Sequence, residues 1–231
     1  MKTFLNKLRK FKLGSTLVLL LLTAIWSIPT VGLLITSLRR RDLAETSPWW
    51  DVFFDPLNQA WSIDAYTKTL ETGMLDSLVN TLVVTIPSVI LPLLVAANAA
   101  FAFTFIEFKG REIYFAILVG LMIIPLQSAL IPVLRGMVAF QKATGLQLTG
   151  NYPSAWIIHC AFALPLAIYI LRNYMLSLPV SLIEAARVDG ASYYQIFWRL
   201  VMPMSVPALA SFAIFQFLWV WNDYLIAFIF V

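Results

Sequence analysis

The 231-residue sequence has one cysteine, Cys160, and one histidine, His159. A lone cysteine excludes an internal disulfide and any cysteine-rich metal site. Charge is also scarce: 12% of residues are charged and 61% are hydrophobic, with a mean hydropathy of +0.84. A water-soluble domain carries roughly 25% charged and about 45–50% apolar residues, so this composition excludes one. The phosphate-loop pattern G-x-x-x-x-G-K-[ST] is absent, which leaves any ATP hydrolysis to another chain. No nucleophile stands with a base or paired ligands in a pattern that would support a membrane-embedded hydrolase, so no catalytic and no metal-binding residue is assigned. The net charge of +4 implies no nucleic-acid partner, because the basic residues gather at the edges of apolar runs. His159 lies inside such a run, where packing or a satisfied hydrogen bond is the plain role and a proton or metal role the sharper one.

What the sequence does have is long apolar stretches. Barrel strands alternate apolar and polar residues over about ten positions. Here the apolar runs are long enough for helices of about 20 residues, which cross a hydrocarbon core of about 30 Å. The expected class is all-α, a polytopic membrane helical bundle, because lipid offers the backbone no partners. Five spans are expected, over 14–38, 79–106, 113–134, 153–171 and 204–231. Residues 1–13 are basic, and the apolar stretch after them is too long for a secretory h-region. It is followed by Arg39-Arg40-Arg41 instead of a small-residue cleavage site. An uncleaved first span is therefore expected. With the N-terminus cytoplasmic, ten Lys and Arg fall inside and six outside, a modest bias in the usual direction. The three successive arginines count against it. On this vote 107–112 and 172–203 are cytoplasmic, and 39–78 and 135–152 are extracytoplasmic.

Segment 39–78 holds Trp49, Trp50, Phe53, Phe54 and Trp61. It reads as an interfacial aromatic belt or as a docking surface for an extracytoplasmic partner. Pro29, Pro87, Pro92, Pro125, Pro132 and Pro165 fall inside spans. Each removes a helix hydrogen bond, either as ordinary membrane-helix irregularity or in a bundle built to bend.

The charged stretch between the last two spans, EAARVDGASYYQIFWRLVMP (184–203), carries helix signals on both sides of Gly190. Ser181 and Glu184 have the capping-box spacing, as do Ser192 and Gln195. Gly190 suits the left-handed residue that ends a helix. Tyr193, Phe197, Leu200 and Met204 are expected along one stripe of the second helix. A first helix of about two turns is too short to stand alone and needs a surface to pack on. Small Ala185 and Ala186 allow close approach, which suits insertion into a groove. A helix lying on the bilayer is the alternative, though the charges are mixed in sign and no Lys-rich face is present.

Glu184-Ala185-Ala186, three residues, Gly190, nine residues, then Leu200-x-Met202-Pro203 resembles the EAA loop of permease subunits of binding-protein-dependent ABC importers. Asp189-Gly190-Ala191 fits that loop. MIIPLQSALIPVL (122–134), ALPLAIYILRNYMLSLP (163–179) and WNDYLIAFIFV (221–231) resemble the carbohydrate, maltose-type branch. The resemblance runs from about residue 77 to the end. It implies the type I ABC importer permease fold and a coupling helix around 182–190 seated in a cytoplasmic ATP-binding subunit. ATP and Mg would lie in that subunit, with no cofactor in this chain, which would not be an enzyme. Further implied partners are a second permease, with which the chain forms the pathway, and an extracytoplasmic solute-binding protein. The implied location is the bacterial inner membrane and the implied cargo a sugar or oligosaccharide, or another small solute. Glu184, Ala185, Ala186, Asp189, Gly190, Leu200 and Pro203 become the ATPase-coupling candidates. Members of this type usually carry a sixth span after the Trp-Asn-Asp segment, and the sequence stops at Val231, so a shortened piece, a truncated gene or a member without that span is expected.

Asn222 and Asp223 are the sharpest polar pair in an apolar run. An ionisable residue inside a span marks a functional candidate. With Trp219, Trp221 and Tyr224 beside them, and Gln127 elsewhere, they form a candidate substrate pathway. Interfacial anchoring and helix packing would use the same residues. Asn80 and Asn98 are weaker candidates.

Overall fold

The computed structural model describes residues 13–231; the basic segment 1–12 lies outside them. Two compact units divide at Ser77 and Leu78.

In the first unit, α1 (Leu13–Ser37) is a continuous apolar helix with Pro29 inside it. Segment 39–78 is folded. It holds α2 (Arg41–Thr46), a tight 3-10 turn at Trp49–Phe53 and α3 (Asp64–Thr69). The loop over 41–59 is closed at its base. Ser62 N–H donates to Leu38 C=O at 2.8 Å and Arg40 N–H to Ala60 C=O at 3.1 Å, beside an antiparallel bridge between Arg39 and Trp61. Arg39 is buried, and its guanidinium donates to the Ser47 and Pro48 carbonyls at 3.2 and 3.1 Å and to the Ser47 hydroxyl. Arg40 forks onto Asp42, and Arg41 pairs with Glu45. Each of the three arginines that oppose the charge bias thus has a local partner. Trp49 meets Trp50 and Phe53 edge-on, and its indole lies against Gly32 of α1. After α3 the chain turns through a wide π-type turn (Leu70–Met74) that contains Gly73 at φ +86°. It then enters α4 (Leu75–Phe105).

The second unit is built on α4, α5 (Arg111–Leu121), α6 (Leu126–Thr144) and α7 (Tyr152–Leu176). These are followed by α8 (Val180–Val188), α9 (Tyr193–Ile196), α10 (Val206–Trp221) and α11 (Leu225–Phe230). Ala96, Ala97 and Ala100 of α4, Ala163 and Ala167 of α7 and Ala208 of α10 are buried. Small residues at these places let backbones approach where no hydrophobic effect drives helices together in lipid. Phe101, Leu171, Met175 and Phe212 fill the remaining space. A second cluster joins Leu130, Ala155, Ile158, Ile226 and Phe230.

Among the described residues three helical stretches are long and apolar enough to cross a membrane, Gly14–Ser37, Asp64–Phe105 and Tyr152–Leu176, or up to five if each of two bent pairs counts as one span. Several expected boundaries shift. Segment 113–134 is not one rod: α5 and α6 meet at 106°. Pro125 is extended, with φ −64° and ψ 128°, and a proline disfavours helical geometry in the residue before it. The helix therefore stops at Leu121. α6 continues to Thr144, well into the expected loop at 135–152. α7 begins at Tyr152 with Asn151 capping the Ser154 amide. Segment 204–231 is likewise broken, with Asn222, Asp223 and Tyr224 lying between α10 and α11.

Candidate functional site

The charged elbow is helix, glycine turn, helix. α8 starts one residue before Ser181, with Pro179 at its cap position and no side-chain cap. The capping box read at Ser181 and Glu184 is therefore not formed. Pro179, at φ −62° and ψ 111°, sets the entry angle itself and places Ser181 inside the first turn. Glu184 is exposed and makes no hydrogen bond or ion pair among the described residues. At the other end of α8, Ala191 N–H donates to Ala186 C=O at 2.9 Å and Gly190 N–H to Arg187 C=O at 3.0 Å. Gly190 stands between them at φ +80°. This paired bonding is the Schellman motif. Ser192 and Gln195 form both halves of a capping box.

The second limb does not keep the simple stripe of Tyr193, Phe197, Leu200 and Met204. Residues Phe197–Val201 form a π-type turn before Met202–Met204. Pro203 lacks the N–H that a regular helix would aim at Arg199, and a widened turn absorbs that loss. The buried face becomes Ile196, Phe197 and Val201, whereas Tyr193 is 39% exposed.

Below the elbow, Phe197 and Phe105 both pack on Phe101, with ring centroids 5.2 and 5.3 Å from it. Ile183 of α8 enters the same core as Met175 and Leu178. The Arg187 guanidinium donates to the Tyr193 hydroxyl and stacks over that ring, 5.0 Å from its centroid. Tyr174 donates to the Met204 carbonyl at 3.0 Å. Arg172 lies 4.0 Å over the Phe115 ring and donates to Phe103 C=O and Glu112, both at 3.4 Å. It ties α7 to α4 and α5, and sequence reasoning counted it only as a charge. On the outward side Val180, Leu182, Ala185 and Val188 are exposed, Val188 at 87%. Asp189, Gly190, Ala186 and Leu200 line a shallow groove beside them with Arg199, and Pro203 is exposed beyond it. The arrangement is a rigidly backed knob with an uncovered apolar face.

The polar residues of the last span are placed differently from one another. Asp223 is turned inward, near His159. Asn222 is exposed and donates to Leu218 C=O at 2.7 Å. Trp219, Trp221 and Tyr224 are exposed, against Phe215, Phe217 and Phe228 respectively. Gln127 is exposed in the first turn of α6. Asn80 accepts from the Tyr152 hydroxyl at 2.8 Å, and Asn98 donates to Leu94 C=O at 2.9 Å. Sequence reasoning missed the buried Gln216, whose amide donates to Ser88 C=O at 3.3 Å. A polar residue within VPALASFAIFQFLWVW was the available signal.

Residues 72–231 match the family described as binding-protein-dependent transport system inner membrane component. The chain belongs to this family. Among its relatives is the osmoprotective compounds uptake permease protein of a Synechocystis species, 43% identical over 222 residues. That match covers 95% of this chain and 72% of the relative. The alpha-glucoside transport system permease protein of Rhizobium meliloti is 47% identical over 175 residues, 74% of this chain and 45% of the relative. A crystal structure of a bacterial ABC transporter involved in the import of the acidic polysaccharide alginate superposes with a TM-score of 0.77 and 25% identity. It covers 96% of this chain and 75% of that one. The permease thus has the all-helical fold of an ABC importer membrane subunit, and its relatives are transporter subunits, not enzymes. Within the permease, the Glu184-Ala185-Ala186 elbow and the Trp221-Asn222-Asp223 break both lie in the matched region.

Proposed function

We propose that this permease forms, with a second permease, the translocation pathway of an ATP-driven importer for a sugar or oligosaccharide delivered by a solute-binding protein. The observation that carries the reading is the elbow. A two-turn helix, closed by Gly190 and backed by the Phe101–Phe197 core, leaves its apolar face uncovered at the junction of α7 and α10. That face seats in a cleft of a cytoplasmic ATP-binding subunit, which holds ATP and Mg, since this sequence has no phosphate loop. Glu184, Ala185, Ala186, Asp189, Gly190, Leu200 and Pro203 carry the coupling. The N-terminus is cytoplasmic. The local pairing of Arg39, Arg40 and Arg41 supports this, because the arginines that oppose the charge bias are committed to the folded cap. The glucoside and polysaccharide cargoes of two relatives support a carbohydrate cargo here, reached by way of the exposed Asn222, Trp219, Trp221, Tyr224 and Gln127, with Asp223 behind them holding the break.

The test is a cross-link. Val188→Cys in a Cys160→Ser background, treated in membrane vesicles, should join an ATP-binding subunit. Labelling of Val188→Cys only from the exterior of intact cells overturns the orientation and the coupling role together. The cargo is tested separately with the reconstituted importer and its binding protein. ATP-dependent uptake of a neutral disaccharide such as maltose supports the carbohydrate reading, and uptake of glycine betaine alone refutes it.

A further inference from the structure

The lone histidine and the acidic residue of the last span, far apart in sequence, meet in the structure, and the elbow uses neither. The break at Asn222–Tyr224 releases backbone amides of α11, and in lipid such groups must find partners inside the protein. Asp223 supplies them. Its Oδ1 accepts from Leu225 N–H at 2.8 Å and Ile226 N–H at 3.2 Å. Its Oδ2 has no hydrogen-bond partner among the described residues and lies 4.0 Å from His159 Nδ1. The Asp223 side chain is 11% exposed and that of His159 2%. A buried carboxylate oxygen left alone is costly, and His159 is what faces it.

Little competes for that oxygen. α10 and α11 carry no Asp, Glu, Lys, Arg or His; α4 carries only the exposed Asp76, and α6 only the exposed Arg135 and Lys142. At the far end of α11 the Phe230 carbonyl accepts from Gly150 N–H at 2.9 Å and from the Ser154 hydroxyl at 2.6 Å. Ile226 and Phe230 pack between these two polar ends. α11 is therefore hydrogen-bonded to α7 at its far end, and at its near end the Asp223 carboxylate that caps it faces His159 of α7 at 4.0 Å.

We propose that His159 is a positioning residue for transport: it holds the Asp223 carboxylate in its capping pose, so that the last span stays broken with Asn222 and Tyr224 turned outward. The transport consequence rests on the permease reading; the geometry does not.

The experiment uses the assembled importer in lipid nanodiscs and reads two quantities, amide hydrogen exchange over 222–231 and ATP hydrolysis stimulated by the binding protein. His159→Leu, which roughly keeps volume and removes the polar imidazole edge facing Oδ2, should speed exchange at Leu225 and Ile226 severalfold, less than the roughly tenfold of a charge-assisted hydrogen bond, because the contact is at 4.0 Å. It should also depress stimulated hydrolysis. His159→Asn, whose amide nitrogen falls near the place of Nδ1, should restore both. His159→Gln, which reaches the place of Nε2 instead, should restore neither. Unchanged exchange in His159→Leu overturns the proposal, as do Asn and Gln variants that behave alike. Faster exchange with normal stimulated hydrolysis overturns the link to transport. If His159→Leu fails to assemble, the contrast between the Asn and Gln variants decides. Absence of stimulation in the unmodified complex refutes the permease reading and leaves the exchange result standing.

Discussion

Phe197, in the second limb of the elbow, meets Phe101 of α4 edge-on, with ring centroids 5.2 Å apart and planes at 65°. Both rings are buried. The contact joins the knob to a helix more than ninety positions away in the chain. Phe197→Ala removes this contact and leaves a cavity, at a cost of about 3–5 kcal/mol. The thermal unfolding midpoint of the purified permease should fall. In the assembled importer, uptake should drop more than basal ATP hydrolysis, as measured in proteoliposomes.

Gly190 turns the chain at φ +80°, and a Cβ there would meet no atom within 4 Å. The cost of a side chain is therefore conformational, about 1–2 kcal/mol for an ordinary residue in the left-handed region. Gly190→Val should insert normally yet abolish coupled uptake. Gly190→Asn, which tolerates that region, should keep most of it. Uptake assays beside a membrane-fraction blot distinguish the two outcomes.

Arg172 combines a cation–π contact over Phe115 with donation to Glu112 and to the Phe103 carbonyl. A lysine keeps the charge and loses the planar fork. Arg172→Lys should therefore resemble Arg172→Ala, both lowering thermal stability by about 1–2 kcal/mol. A lysine variant with the native unfolding midpoint would show that charge alone suffices.

Asp42 is held at about 2 by its hydrogen bonds from Arg40, below the ordinary 3.8. A depressed carboxylate contributes stability above its unfolded value and loses that contribution as the pH falls through the folded one. The pair thus acts above about pH 4 and fades toward pH 2. The chain and its Asp42→Asn variant should unfold alike at the acid end and diverge slightly at neutral pH. The difference stays small because the pair is exposed. Thermal melts across that range measure it.

The features legible in sequence were local ones. Gly190 and the Ser192–Gln195 box depend on neighbours within a turn, and the structure forms both as read. Ser181 misled because Pro179, two residues earlier, already fixes the helix entry. The bend at Pro125 was visible as a proline inside an apolar run, but the run's hydropathy hides the 106° angle, which is set by what each arm packs against. Arg39 looked like a contrary topology signal; its burial depends on Ser47 and Pro48 folding back over it. The meeting of His159 with Asp223 was least legible of all, since no periodicity links a residue of α7 to one in the break after α10.

The length of α4 bears on the membranes this protein can inhabit. Its 31 residues, Leu75–Phe105, extend about 46 Å at 1.5 Å each, against a hydrocarbon thickness of about 30 Å. Tilting within the usual range of about 0–40° does not absorb the excess, so the ends project into the headgroup layers. Thinning or thickening the bilayer by a few ångströms then changes how much of those ends is wetted. An apolar rod this long favours a thick bilayer, since a thinner one must be met by tilt, bending or local thickening, each at a modest cost.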